Sequence, residues 1–125
     1  MPLERPAIGK PEGDIPFDLR AEDLVVGDGG EATRGSKVTV HYVGVAFRTG
    51  EEFDASWNRG EPFRFVLGKG QVIPGWDQGV AGMHVGGRRR LTIPSALAYG
   101  ARGAGNGAIA PHEPLVFVVD LLAVD

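Results

Sequence analysis

"QVIPGWDQGVAGM" (Gln71–Met83) sets a tryptophan among three glycines and a proline. Trp76, Val80 and Met83 fall at i, i+4 and i+7, a single apolar helical stripe. Pro74 stands where a first turn tolerates proline, and Gly86 and Gly87 follow as a stop. Such a helix does not persist alone, because nucleation is unfavourable and each interior glycine costs about 1 kcal/mol relative to alanine. It must be held by something else.

The flanking sequence supplies a sheet. "KVTVHYVGVAF" (Lys37–Phe47) alternates Val38, Val40 and Tyr42 against Thr39, His41 and Val43, the period of two that marks a strand. "RTGE" (Arg48–Glu51) is a turn and "EFD" (Glu52–Asp54) returns as a hairpin. "FRFVL" (Phe63–Leu67), "RRRLTI" (Arg88–Ile93) and "LVFVVDLLAV" (Leu115–Val124) read as further strands, with "DLVV" (Asp23–Val26) a shorter candidate. The expected fold is α+β, a bent antiparallel sheet of five to six strands wrapped around one short helix, with glycine-rich connections. Four of the nine prolines lie in the first 16 residues, so residues 1–17 read as an extended or disordered tail and 18–125 as the packed domain.

The whole-chain numbers exclude several classes of function. At 125 residues the chain forms one domain with a core of its own. With no cysteine there is no disulfide, thiolate metal site or cysteine nucleophile. A net charge of -3 offers no broad attraction to nucleic acid or anionic lipid. No run reaches the roughly 18 apolar residues of a membrane span, and the N-terminal stretch lacks a signal-peptide core. The expectation is a cytoplasmic protein, monomeric by default, with neither nucleic acid nor membrane as partner.

A search for catalytic motifs finds little. His41, His84 and His112 are far apart, so no metal or other cofactor is expected, and His41, in mid-strand, reads as a hydrogen-bonded core residue. Ser36, Ser56 and Ser95 lack a nucleophile elbow. "GDGGEA" (Gly27–Ala32) and "GEATRGSK" (Gly30–Lys37) resemble phosphate loops, but a strand follows where a helix is needed. "RRR" (Arg88–Arg90) reads as a solvated strand edge rather than a nucleic-acid patch, and Asp54 with Glu61, an acid/base pair at first sight, stands beside Arg59 as a surface ion pair. What remains is aromatic: Tyr42, Phe53, Phe63, Trp76, Tyr99 and Phe117, from several strands, the helix and a loop. Ordinary core filling accounts for them equally well on spacing alone.

"VTVHYVG", "GEEFDAS", "PFRFVLGKGQVIPGWDQGVAGMHVGGRRRLTIP", "AYG" and "PLVFVVDLL" stand in the order and spacing of the tacrolimus-binding, or FKBP-type, peptidyl-prolyl cis-trans isomerases. The resemblance covers about Leu24 to Val124, and the chain looks like a single-domain bacterial-type member. It implies an enzyme that assists folding by accelerating rotation about Xaa-Pro bonds in proline-containing peptides and unfolded chains. Tacrolimus- and rapamycin-type macrolides would share its pocket. By resemblance, Trp76 is the pocket floor and Tyr42, Phe53, Phe63, Val72, Ile73, Tyr99 and Phe117 its walls, with Ile109 on the loop above. The Tyr99 hydroxyl and the Ile73 backbone N–H would fix a bound carbonyl, and Asp54 would line the rim, oriented by Arg59.

The chain departs from better-known relatives at "GARGAGNGAIA" (Gly100–Ala110), which is glycine-rich and has Ala108 where a larger apolar residue is common. Substrate preference and drug affinity turn on that loop, which is too short for an inserted chaperone domain. Three readings stay open on sequence: an isomerase, a binding module with incidental isomerisation, and a chaperone-like holdase, the last disfavoured. "DIPFDL" (Asp14–Leu19) places Ile15-Pro16-Phe17 in the tail, itself shaped like an isomerase substrate for a neighbouring molecule.

Overall fold

The computed structural model describes residues 3–104 and 109–125. Six strands form one antiparallel sheet: β1 (Arg20–Val25), β2 (Lys37–Ala46), β3 (Glu52–Ala55), β4 (Phe63–Val66), β5 (Arg88–Ile93) and β6 (Leu115–Val124). Their order is β1-β5-β6-β2-β3, with β4 also on β2. One edge of β2 runs the length of β6, while the other is shared by β4 at Lys37–Val40 and β3 at Val43–Val45. Between these two partners the Tyr42 N–H donates to Ser56 Oγ at 2.7 Å, so no buried donor is left at the gap.

The alternation along β2 sorts its side chains. Val38, Val40 and Tyr42 enter the main core with Leu91, Ile93, Leu115, Phe117 and Val119. Val43, Val45 and Phe47 face the other way, into a smaller cluster with Ala55 and Val116 that Trp57 and Ile8 cover. Burial on both faces explains why β6 and the Tyr42–Phe47 end of the β2 segment read almost continuously apolar.

Two helices flank the strands. The one-turn α1 (Ser56–Arg59) ends at Gly60 in the left-handed region (φ 65). The other, α2 (Pro74–Gly79), lies against β5, and a Cβ added at Gly75 or Gly79 would come within 2.5 Å of Ile93 or 2.6 Å of Leu91. These glycines therefore set how closely helix and sheet approach, at the expense of helix propensity.

Several expectations are corrected. The helix stops at Gly79, well before Gly86, and Met83 reaches the core (2% exposed) through a turn at Gly82, φ +88. Past Val80 the backbone turns its bonds outward, with the Gly82 N–H donating to the Ala32 carbonyl at 2.8 Å instead of continuing the helix. Helix α1 and the 3-10 turns Ser95–Leu97 and Gly100–Arg102 have too few residues to show a period and were not expected. "RRR" is no edge, because β5 lies between β1 and β6. Arg88 makes two bonds to the buried Asp120 (2.6 and 2.8 Å), and Arg89 bonds Asp23 and the Gly79 and Ala81 carbonyls.

Residues 3–19 contain no helix or strand but lie on the domain surface, with Pro11 and Pro16 buried. Pro16 is thus covered by its own chain while Phe17 projects into solvent at 96% exposure.

Candidate active site

The curved sheet and α2 enclose a cavity of about 410 Å³. Strand β2 contributes Tyr42, β3 Phe53 and Asp54, β4 Phe63, and β6 Phe117; Gln71, Val72 and Ile73 come from the loop before α2, Trp76 from α2, and Tyr99 from the turn after β5.

The aromatic rings meet edge to face. Trp76 lies 4.9 Å from Tyr42 and 5.2 Å from Phe117, at interplanar angles of 78° and 88°, and Phe53 lies 5.5 Å from Phe117 at 88°. This arrangement sets positive ring edges on negative ring faces and fixes ring orientation as well as burying area. Phe65 backs the wall, 5.7 Å from both Phe63 and Trp76. Trp76 is 4% exposed, a floor already packed on its underside.

Adjacent residues of a strand normally face opposite sides, yet Phe53 and Asp54 both line the cavity. The register explains it: Gly44 pairs with Asp54 and Val45 with Glu52, leaving Phe53 as an extra residue in β3. That β-bulge turns two consecutive side chains toward one space. Gly44 faces them across the ladder, where a Cβ would stand 2.6 Å from Phe117 and 2.7 Å from Phe53.

One polar network borders the cavity. The Tyr42 hydroxyl donates to Asp54 Oδ2 at 2.6 Å, Arg59 Nη1 donates to Asp54 Oδ1 at 2.8 Å, and Arg59 Nη2 donates to the Tyr42 oxygen at 2.8 Å. Burial, with the Asp54 hydrogen bond second, pushes the Tyr42 phenol up to about 12. Burial opposes the Asp54 charge, but hydrogen bonds from Tyr42 and Arg59 outweigh it and hold the carboxyl below its usual range. Burial and the Asp54 charge likewise raise the Tyr99 phenol. At neutral pH the rim therefore carries one oriented carboxylate and two neutral phenols.

The loop ahead of Trp76 is fixed by side chains. Asp77, in the first turn of α2, accepts from the Gly68 and Gly70 N–H groups at 2.8 and 3.0 Å, and Gln71 Oε1 accepts from the Val66 N–H at 2.9 Å. Gln71 was not picked out from sequence, and only its place next to Val72 and Ile73 could have pointed to it. Arg59 stands behind the lining and holds Asp54 and Tyr42. Ile109 is outside the described lining: it exchanges reciprocal backbone bonds with Ala104 (2.9 and 3.0 Å) and is buried at 6% exposure in the main core. Ala108 lies outside the described residues. Glu61 is exposed and takes no part in the Asp54 network.

The site combines a preformed aromatic cavity with a few placed polar groups, which defines an α+β domain built to hold a small apolar unit by its ring faces. The family model described as FKBP-type peptidyl-prolyl cis-trans isomerase matches residues 29–122. An FK506-binding protein of Streptomyces anulatus is 64% identical over 99% of this chain and 100% of its own length. The peptidyl-prolyl cis-trans isomerase FPR2 of Saccharomyces cerevisiae is 55% identical over 85% of this chain and 75% of its own. The crystal structure of AtFKBP13 superposes with a TM-score of 0.79 at 43% identity, covering 86% of this chain and 93% of that one. The chain belongs to the FKBP-type peptidyl-prolyl cis-trans isomerase family, whose reaction is rotation about Xaa-Pro bonds.

Proposed function

We propose that rotation takes place in the Trp76 cavity, with the proline ring on the indole and Tyr42, Phe53, Phe63 and Phe117 around it. The observation that carries this reading is the aromatic cavity itself, which has an oriented carboxylate at its rim and no serine, threonine, cysteine, lysine or histidine among its lining residues. No bond is made or broken in the reaction. The barrier of about 20 kcal/mol is the loss of amide conjugation, and uncatalysed rotation takes roughly 10 to 100 s.

A planar amide is more dipolar than a twisted one, so a weakly polar cavity disfavours the ground state more than the transition state. Ile73 N–H precedes the helix and has no acceptor among the described residues, which suits it to hold the substrate carbonyl. Tyr99, neutral and 40% exposed, offers a second donor. Asp54, locked by Tyr42 and Arg59, supplies a fixed negative field at the twisting bond, worth more in a cavity shielded from water.

Macrolides of the tacrolimus and rapamycin type belong to the same proposal, supported by the cavity's size and by the name of the Streptomyces relative. The test is the cis-to-trans rate of a Leu-Pro peptide with and without rapamycin. Acceleration abolished by the drug is expected; acceleration that persists with drug bound would move the reaction out of this cavity.

A further inference from the structure

Residues 3–11 cross the face of the sheet opposite the cavity. The Glu4 carbonyl accepts from Arg88 at one side. Ile8 packs with Trp57 on the smaller cluster, and Lys10 lies against Gly50 in the turn between β2 and β3. Between these anchors Arg5 reaches two groups. Its Nη1 donates to Asn58 Oδ1 at 2.6 Å and its Nη2 to Glu52 Oε1, while Asn58 Nδ2 donates to Glu52 Oε2 at 3.0 Å. The three side chains close a ring.

Glu52 is the residue before the bulge at Phe53, and Asn58 sits in α1 beside Arg59, which holds Asp54. The ring thus brackets the segment that presents Phe53 and Asp54 to the cavity. A bulge is where the ladder is interrupted, so this segment has the least support from its own sheet. We propose that the N-terminal segment is a strap that positions the Phe53–Asp54 edge for catalysis, with Arg5, a positioning residue outside the cavity, as its clasp. The proposal rests on the placement of the reaction in the Trp76 cavity.

The clasp is exposed on both sides, with Arg5 at 39% and Glu52 at 35%, and pairs of that kind add little to global stability. Its effect therefore belongs in turnover rather than in unfolding. A displacement near 1 Å of a positioned group costs about a hundredfold, so a partial loosening is expected to cost about three- to tenfold.

The experiment compares full-length Arg5→Ala, Glu52→Ala, their double variant, Arg5→Lys and Asp54→Ala, with Val124→Ala as a stability control away from the strap. Arg5→Ala is expected to lower kcat/KM for an uncharged proline peptide about three- to tenfold with little change in Tm, while Val124→Ala lowers Tm and spares kcat/KM. The double variant should fall no further than either single one, and Arg5→Lys should recover activity at low salt and lose it near 1 M, where the Debye length is about 3 Å. Backbone amide signals of Phe53, Asp54 and Ala55 should broaden in Arg5→Ala. Wild-type turnover in Arg5→Ala with impaired Asp54→Ala would overturn the strap alone. Unimpaired Asp54→Ala would overturn the placement of the reaction and the strap with it.

Discussion

Single residues decide whether this cavity exists. Gly44 keeps a strand-forming backbone and is glycine for lack of space, since Phe53 and Phe117 fill the position its Cβ would take. Gly44→Ala should cost about 1–3 kcal/mol by overpacking and should depress turnover further than that stability loss explains. Thermal unfolding and kcat/KM on one preparation check this, and unchanged turnover would mean that the two rings yield freely. Tyr42 can be followed by titration, because the chain has two tyrosines and both phenols are raised. A raised folded-state pKa contributes stability that is whole below the unfolded value and is lost as pH climbs through the folded one. For Tyr42 that window runs from 10 to about 12. The near-ultraviolet tyrosinate band should therefore be weaker at pH 10 in the folded chain than in the unfolded one, with Tyr42 contributing almost none of it while folded. Asp54 acts in the opposite direction: its depressed pKa stabilises above the ordinary carboxylate range, and that contribution is lost as pH falls through the folded value. At this scale the sequence offered the aromatics but not their exposure. Trp76 at 4% and Phe63 at 38% look alike in a string of letters, and only packing decides which one keeps a face open.

Elements were legible where they were long. The alternation at the start of β2 sets Val38, Val40 and Tyr42 on the core face against Thr39 and His41, the apolar run of β6 follows from burial of two faces, and a period of two needs only a few residues to declare itself. The helix declared its presence through Trp76 and Val80 but not its end, because Met83 keeps helical spacing while standing on a turn. Arg88–Arg90 differs from its expectation for a related reason: charge suggests an edge, whereas the buried Asp120 carboxylate and the Gly79 carbonyl make arginines on an interior strand tolerable. The helix also reverses a familiar rule. Glycine to alanine within a helix ordinarily stabilises by about 1 kcal/mol, yet at Gly75 the new methyl would sit 2.5 Å from Cγ2 of Ile93, a β-branched side chain with 0% exposure. Gly75→Ala should therefore destabilise by about 1–3 kcal/mol and displace Trp76, lowering turnover. Gly30→Ala, with nothing within 4 Å of its added Cβ, serves as the comparison and should change Tm little. A stabilised Gly75→Ala would show that helix and sheet have slack between them.

On the scale of the whole molecule, β6 is the strand through which the two halves of the sheet communicate, paired to β5 on one side and β2 on the other. In the middle of it lies Asp120, whose side chain is 3% exposed. Its only side-chain partner among the described residues is Arg88, directly opposite on β5, through two bonds; the same guanidinium reaches out to the Glu4 carbonyl of the tail. The Asp120 hydrogen bond raises the Arg88 pKa further, so the guanidinium stays charged across the range in which the fold survives. A carboxylate so placed is costly to bury and is tolerated because a forked cation meets both oxygens. Removing that cation alone is thus worse than removing both charges. Arg88→Met should destabilise by about 3–5 kcal/mol, since Asp120 must then either stay charged without a partner or take up a proton to remain inside. The proton route gives a sign that chemical denaturation can read: stability of Arg88→Met should rise as pH is lowered toward the carboxylate range. Arg88→Met with Asp120→Leu should recover much of the loss, because two apolar side chains of similar volume need no compensation. Equal stability of the single and double variants would show that water reaches Asp120, and the centre of the sheet would then be less dry than the packing of β5, β6 and β2 requires.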